Sequence, residues 1–256
     1  MTDRKSGIRR KRGREARRLV RDRKIYRFMR SRVAVSQNRH RMLHEEIEPL
    51  SVYVGKVGVD RRITPFPMKS QLNGKPLPAW KDLSAWMKVQ LLAAALNQWE
   101  FQTFNIIVHP KLESAWVSEG KDPRAKMRDR VRDELDKAFG TGREFFFVLE
   151  GWSKLRKAPT KLHIHGGAAI YDPGDAAKIE NAVSRAAGHG LKGYAKVNRA
   201  INTKPFTRER AGYATYLFKY AKRLDDRMAD RRLTMSRSST GAAKELWDTV
   251  SGRKRF

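Results

Sequence analysis

Three segments rich in β-branched and aromatic residues constrain the fold of this chain more than any other feature of its sequence. They cover residues 101–108, 144–149 and 162–170, and runs of this kind favour buried strands. Between the first two, the apolar residues of segment 123–139 recur every three or four positions, as on the buried side of an amphipathic helix. The chain is therefore expected to build a sheet with a helix packed against it.

The apolar pattern further along the chain continues this alternation of strands and helices. Asp175 is a suitable N-cap for a helix that ends at Gly188, residues 194–203 favour a fourth strand, and residues 209–224 favour another helix. The order strand, helix, strand, strand, helix, strand, helix matches the split βαβ arrangement of ferredoxin-like palm domains. We predict the α+β class, with an antiparallel sheet backed by helices.

Composition divides the chain into four parts. Residues 1–50 form a basic N-terminal arm, either helical or disordered, and residues 51–82 form a connecting region rich in proline and glycine. Residues 83–235 hold the alternating helices and strands and are predicted to form the main domain. Residues 236–256 form a basic C-terminal tail with a short helix.

The charge of the chain is strongly positive. Its 56 Lys and Arg residues against 27 Asp and Glu residues give a formal net charge of +29, and residues 1–42 alone hold 17 of the basic residues. This excess predicts a polyanionic partner. Nucleic acid is favoured over an anionic membrane because no apolar run is long enough to span a bilayer. The basic N-terminus lacks the apolar core of a secretory signal peptide, so a cytoplasmic location is expected.

A candidate metal site lies in the third strand segment. The chain has no cysteine, so His, Asp or Glu would have to hold a metal ion. His163 and His165 are two residues apart, which in a strand points both side chains to one face. Glu150 ends the preceding strand, where a hairpin returns to the histidines, and two imidazoles with one carboxylate can hold a divalent ion. Gly166 is expected to leave room above that ion. Exposed strand histidines and a strand-end glutamate would account for each residue taken singly.

A candidate nucleophile lies about 50 residues downstream of the histidines. On a helix, Lys219 and Tyr220 would lie within about 60° of Tyr216, so an ammonium and two hydroxyls can share one side. A phenol is a poor nucleophile at neutral pH, but a nearby cation and a metal-polarised phosphate lower the barrier to its attack. Without the histidines, an amphipathic helix that buries its tyrosine rings would be the better explanation.

Together these segments resemble the HUH endonucleases, and within that superfamily the rolling-circle replication initiators, or Rep proteins, of plasmids and single-stranded DNA phages. The resemblance covers roughly residues 100–224. Four motifs carry it in the order of the family, namely an apolar strand at 104–108, an acidic strand end at 146–150, the histidine pair at 163–165 and the tyrosine helix at 216–219.

The resemblance implies a metal-dependent endonuclease and nucleotidyltransferase. Glu150, His163 and His165 would hold Mg²⁺ or Mn²⁺ and orient the scissile phosphate of single-stranded origin DNA. Tyr216 would attack that phosphate, giving a 5′-phosphotyrosyl intermediate and a free 3′-hydroxyl that primes synthesis by a host DNA polymerase. A host helicase would unwind the duplex, since the chain has no P-loop motif.

The resemblance extends to a second tyrosine. Tyr220 and Lys219 resemble the two-tyrosine pattern that some members use in alternation, although Arg223 stands where that pattern repeats a lysine. The first apolar strand also lacks the threonine-rich sequence typical of the family. Further candidates for contact with DNA are Lys222, Arg223, Arg237 and His109.

Three other functions are compatible with parts of this pattern. The same chemistry operates in HUH transposases and in relaxases, and a non-catalytic DNA-binding protein would need the positive charge alone. A nucleotide-binding histidine hydrolase is disfavoured, because its third alternating histidine would fall where Gly167 stands.

Overall fold

A computed structural model of the chain describes residues 16–26, 77–95, 100–153, 158–192, 201–205, 216–218, 225–228 and 232–251. The helices are α1 (16–26), α2 (Ala85–Ala95), α3 (Pro110–Ser118), α4 (Pro123–Phe139), α5 (Asp175–Ala186) and α6 (Arg237–Val250), with a 3₁₀ turn at Trp80–Asp82. The strands are β1 (Glu100–Ile107), β2 (Phe145–Ser153), β3 (Ala158–Ile170), β4 (Ile201–Pro205) and β5 (Leu233–Met235).

The chain divides into two compact units. Unit 1 consists of residues 1–98 together with 240–256, and unit 2 consists of residues 99–239. The described strands all belong to unit 2. The candidate site residues that the structure describes also belong to unit 2.

The five strands form one antiparallel sheet in the order β4-β1-β3-β2-β5. β1 and β2 are the two strands of the first βαβ unit, and β3, the next strand along the chain, lies between them in the sheet. The predicted α+β class and antiparallel sheet are confirmed. In this register His163 on β3 is paired with Ile107 on β1 and with Glu150 on β2.

The helices α3, α4 and α5 pack on one face of the sheet. Alternate residues of each strand point to this face, and Phe104, Phe147 and Ile164 are at most 1% exposed there. The helices contribute Trp116, Met127, Val131, Leu135, Ile179 and Val183 to the same cluster. Because this face is filled by apolar side chains, the polar residues at the intervening strand positions lie on the opposite face.

Some elements differ from the prediction. Helix α3 was not predicted; it begins after His109, whose Nδ1 accepts a hydrogen bond from the Lys111 amide at 3.1 Å. Pro110 occupies its first turn, where the missing N–H costs nothing. Of the predicted fourth strand 194–203, residues 201–203 lie in the strand Ile201–Pro205, and residues 194–200 lie outside the described residues. Of the predicted helix 209–224, residues 216 and 217 are helical and most of the rest lies outside the described residues.

In unit 1, α1 packs against the start of α2. The Asp22 carboxylate is fully buried and accepts a hydrogen bond from the Ser84 amide at 2.6 Å, and the Tyr26 ring meets Trp86 edge-on at 5.2 Å between centroids. The basic arm is therefore helical over residues 16–26. None of the helices in the described part of the chain combines the length and the apolar character that crossing a membrane requires.

Candidate metal centre

The β2–β3 hairpin brings Glu150 and the two histidines together. Glu150 is directly opposite His163 in the ladder, and Val148 is opposite His165. The residues between them, Leu149 and Ile164, are fully buried on the helix-covered face. Glu150, His163 and His165 therefore share the other face, which we call the site face, as their spacing predicts.

The distances among these three side chains suit one shared ion. Nε2 of His165 is 3.4 Å and Nε2 of His163 is 3.7 Å from the same Glu150 oxygen, Oε2, and the potential ligand atoms all lie within 4.8 Å of one another. Ligands held at about 2.0–2.2 Å from a common ion are separated by roughly 3–3.5 Å. The group can therefore hold a metal ion after small adjustments.

The same distances are too long for a hydrogen-bonded ion pair. Charge-assisted N–H···O bonds measure about 2.7–2.9 Å, shorter than either Glu150–histidine distance. The Glu150 side chain is 1% exposed and that of His165 is 5% exposed, so both polar groups have given up most of their contact with water. Burial of polar groups is costly, and a cation bound between these side chains would offset part of that cost.

The orientation of His163 is fixed by its other ring nitrogen. Nδ1 of His163 lies 3.1 Å from the Lys161 carbonyl oxygen, a contact that places the proton on Nδ1 and leaves Nε2 to face Glu150. Hydrogen bonds of this kind commonly set the tautomer of metal-binding histidines. The chemistry of the donor set, with two imidazole nitrogens and one carboxylate, suits a divalent first-row transition metal.

Tyr216 lies beside this group. Its ring centroid is 5.4 Å from that of His165, with the two rings nearly perpendicular at 83°. Tyr216 is 46% exposed, whereas the next residue, Leu217, is fully buried. The buried leucine holds this short segment against the protein, and the tyrosine remains open to a substrate.

The other predicted site residues are placed as follows. Lys219, Tyr220, Lys222 and Arg223 lie outside the described residues, so their roles stay predictions. His109 is 4% exposed and caps α3, which gives it a structural role. Arg237 is exposed at the start of α6, and its contact with DNA also stays a prediction.

The expected role of Gly166 is wrong. Gly166 points to the helix-covered face, where an added Cβ would lie 2.1 Å from the Phe146 carbonyl oxygen and 2.7 Å from the Phe104 ring. The glycine thus allows close packing of the core below the site instead of room above a metal. The reason is the strand alternation itself, since a residue next to His165 must point away from it.

We expect Gly166→Ala to lower the free energy of unfolding by about 2–3 kcal/mol, because backbone and ring atoms have to move to admit the methyl group. Gly174→Ala is the matched control. Gly174 has α-helical backbone angles and open space around its Cα, so its substitution should leave stability nearly unchanged. Urea unfolding of both variants measures the difference, and equal stabilities would contradict this packing argument.

Two features near the site were not predicted. Asn105 lies opposite His165 on β1, and Asn202 lies opposite Asn105 on β4, so a row of polar side chains continues from the metal group across the site face. Behind the site, Arg227 bonds to the backbone next to Glu150. Neither feature has a sequence signal, because both depend on register and on contacts between distant segments.

The arrangement combines a candidate metal site with an accessible phenol. A divalent ion held by Glu150, His163 and His165 would bind an anionic substrate group next to Tyr216. Comparisons of the chain with models of protein families, with curated proteins and with solved structures found no match.

Proposed function

We propose that this protein is a metal-dependent endonuclease that nicks and rejoins single-stranded DNA through Tyr216, and that it acts as a rolling-circle replication initiator of the HUH type. The observation that carries the proposal is the position of the Tyr216 ring against His165, one of the three residues of the candidate metal group. The split βαβ order of the sheet and the +29 charge support the same proposal.

The chemistry conserves phosphoester bonds. The Tyr216 oxygen bonds to the scissile phosphorus as the bond from phosphorus to the 3′-oxygen breaks, and the phenolic proton passes through solvent to the leaving 3′-oxygen. A later attack by a 3′-hydroxyl reverses these changes and rejoins the strand, so no nucleotide cofactor is consumed. When bound, Mg²⁺ or Mn²⁺ would withdraw charge from the non-bridging phosphate oxygens. Glu150 and the histidines would hold that ion.

The site face offers one open side for a DNA strand. On one side of His165, its row of the sheet continues through Val148 on β2 and Leu233 on β5, and both residues are buried. On the other side the row continues through Asn105 on β1 and Asn202 on β4, and both residues are exposed. Within the described residues, neither side-chain amide makes a hydrogen bond. Neighbouring strands are about 4.8 Å apart, so Asn105 lies within one strand of His165. We therefore place the DNA along β1 and β4, with Asn105 and Asn202 facing its bases or phosphates.

Asn105→Ala should weaken binding of single-stranded DNA about threefold to tenfold, the effect of losing one or two hydrogen bonds of ordinary strength. The metal affinity should not change. Asn181→Ala is the matched control, because Asn181 is an exposed asparagine on α5, on the other side of the sheet. Fluorescence anisotropy at a fixed salt concentration measures both variants. If both variants bind single-stranded DNA with equal affinity, the DNA does not lie along β1 and β4.

Covalent capture tests the proposed function. The full chain is incubated with a random single-stranded oligonucleotide library and Mn²⁺, denatured, and analysed for protein that retains DNA. We expect an adduct whose tryptic peptide carries a 5′-phosphate on Tyr216. Salt-dependent binding without any adduct would contradict catalysis and favour a non-catalytic DNA-binding protein.

A further inference from the structure

The regular pairing of β2 with β3 is interrupted directly beside the candidate metal group. Glu150 pairs with His163, but the register shifts between Glu150 and Trp152, so the ladder is irregular at Gly151. A bulge of this kind leaves backbone groups without their regular partners and lets the strand bend. At Gly151, next to the pair of Glu150 with His163, side-chain contacts can take over part of the role of the missing ladder bonds.

Arg227 supplies a contact to β2 at this point. Its Nη2 donates a hydrogen bond to the Gly151 carbonyl oxygen at 2.9 Å. The guanidinium also bonds to both Asp225 oxygens, at 2.8 Å through Nε and 2.6 Å through Nη2. Hydrogen bonding to Asp225 is the largest cause of a raised pKa at Arg227, and the Glu113 carboxylate raises that pKa further. The guanidinium therefore stays charged throughout the neutral range.

Glu113 links the same arginine to β3. One carboxylate oxygen of Glu113 pairs with Nη1 of Arg227 at 2.5 Å, and the other accepts a hydrogen bond from the Leu162 amide at 3.0 Å. Leu162 directly precedes His163, as Gly151 directly follows Glu150. Arg227 and Glu113 thus connect the backbone next to one candidate ligand with the backbone next to the other.

The contact between Arg227 and the Gly151 carbonyl leaves no room for a side chain at position 151. A Cβ at position 151 would lie 2.1 Å from an Asp225 carboxylate oxygen and 2.4 Å from Nη2 of Arg227. The Asp225 side chain is 3% exposed and that of Glu113 is 14% exposed, so these ionic contacts are largely shielded from water. Buried, multiply bonded charges of this kind hold one geometry more firmly than a surface ion pair does.

We propose that Arg227 is a positioning residue of the metal centre, which through Glu113 and Gly151 sets the separation of Glu150 and His163. This inference rests on the proposed metal-dependent function. Arg227 makes no contact with the metal group in the described contacts; it acts through the backbone on either side of it. Residues that orient metal ligands typically change metal affinity by about 10- to 100-fold when they are replaced.

Arg143 offers a matched control in the same unit. It donates to the Ala169 carbonyl oxygen of β3 at 3.1 Å and to the Asp175 carboxylate at 2.8 Å, and its side chain is 9% exposed. It therefore makes the same kinds of bond as Arg227, near the end of β3 remote from Leu162. Arg143→Gln and Arg227→Gln should both lower the melting temperature.

The test is Mn²⁺ affinity, measured by isothermal titration calorimetry on the full chain together with the melting temperature of each variant. We expect Arg227→Gln to weaken Mn²⁺ binding at least tenfold, Arg227→Lys to retain part of the affinity, and Arg143→Gln to stay within about twofold of wild type. If Arg227→Gln does not fold, the lysine variant still has to show weaker binding.

Three results would overturn the proposal. They are unchanged affinity in both Arg227 variants, an equal loss of affinity in Arg143→Gln, and a wild-type chain that binds no Mn²⁺. Covalent capture separates this failure from that of the proposed function. If the variants bind Mn²⁺ in the expected pattern but the wild type forms no DNA adduct, the positioning role of Arg227 is supported and the proposed nuclease function is contradicted.

Discussion

Replacing Tyr216 with phenylalanine is expected to reduce the covalent DNA adduct by at least about a thousandfold, since the substitution removes the only oxygen of that side chain and losses of this size follow removal of a nucleophile. Binding of single-stranded DNA and of Mn²⁺ should stay close to wild type. The salt dependence of DNA binding should also persist, because it comes from phosphate contacts with basic residues. Denaturing gel electrophoresis with labelled oligonucleotide measures the adduct.

Tyr171→Phe is the control for this substitution. Tyr171 is 48% exposed against 46% for Tyr216 and belongs to the same unit, but its hydroxyl bonds to Glu144. The same loss of one oxygen should leave the adduct intact. An undiminished adduct in Tyr216→Phe would mean that another residue is the nucleophile, and Tyr220 would be the first to test.

The part of the fold that could be predicted is the part that follows from side-chain periodicity. The three apolar segments became β1, β2 and β3, and the spacing of apolar residues in segment 123–139 matched α4 to the residue. The hairpin between β2 and β3 then required Glu150 to meet the histidine pair. Periodicity and one short connection were enough, because a strand alternates its faces regardless of what surrounds it.

Much of the remainder depends on contacts that leave no local pattern. Helix α3 begins at a histidine N-cap, and histidine is not among the residues that usually signal a helix start, so Pro110 in its first turn was the one local signal for this helix. β5 has three residues, too few for a detectable alternation. The bonds of Arg227 and Glu113 together join four separate segments of the chain, and only the folded backbone brings those segments together.

One error could have been avoided from the sequence alone. The alternation that places His163 and His165 on the site face also places Gly166 on the other face, so the glycine could not make room for a metal. Applied to every residue of the strand, the rule also puts Asn105 on the site face, once β1 is paired with β3. Polar strand residues opposite a metal motif are thus candidates that register, rather than motif matching, identifies.

Glu150→Gln is expected to remove the stabilisation that Mn²⁺ gives to the folded protein. At a free Mn²⁺ concentration about a hundred times the dissociation constant, the wild type should gain about 2.7 kcal/mol in its free energy of unfolding. Loss of the only carboxylate in the group should weaken Mn²⁺ binding more than the roughly 10- to 100-fold typical of residues behind the ligands. The gain at the same concentration should therefore nearly vanish.

Without metal, the same variant should be as stable as the wild type or more stable. Glu150 is 1% exposed, and a buried carboxylate costs more than a neutral amide of the same shape. Thermal unfolding with and without Mn²⁺ measures both effects, with Glu144→Gln, just before β2, as control. An equal Mn²⁺ gain in Glu150→Gln and wild type would place the ion away from this group, and Tyr216 would then lose the metal on which its proposed attack depends.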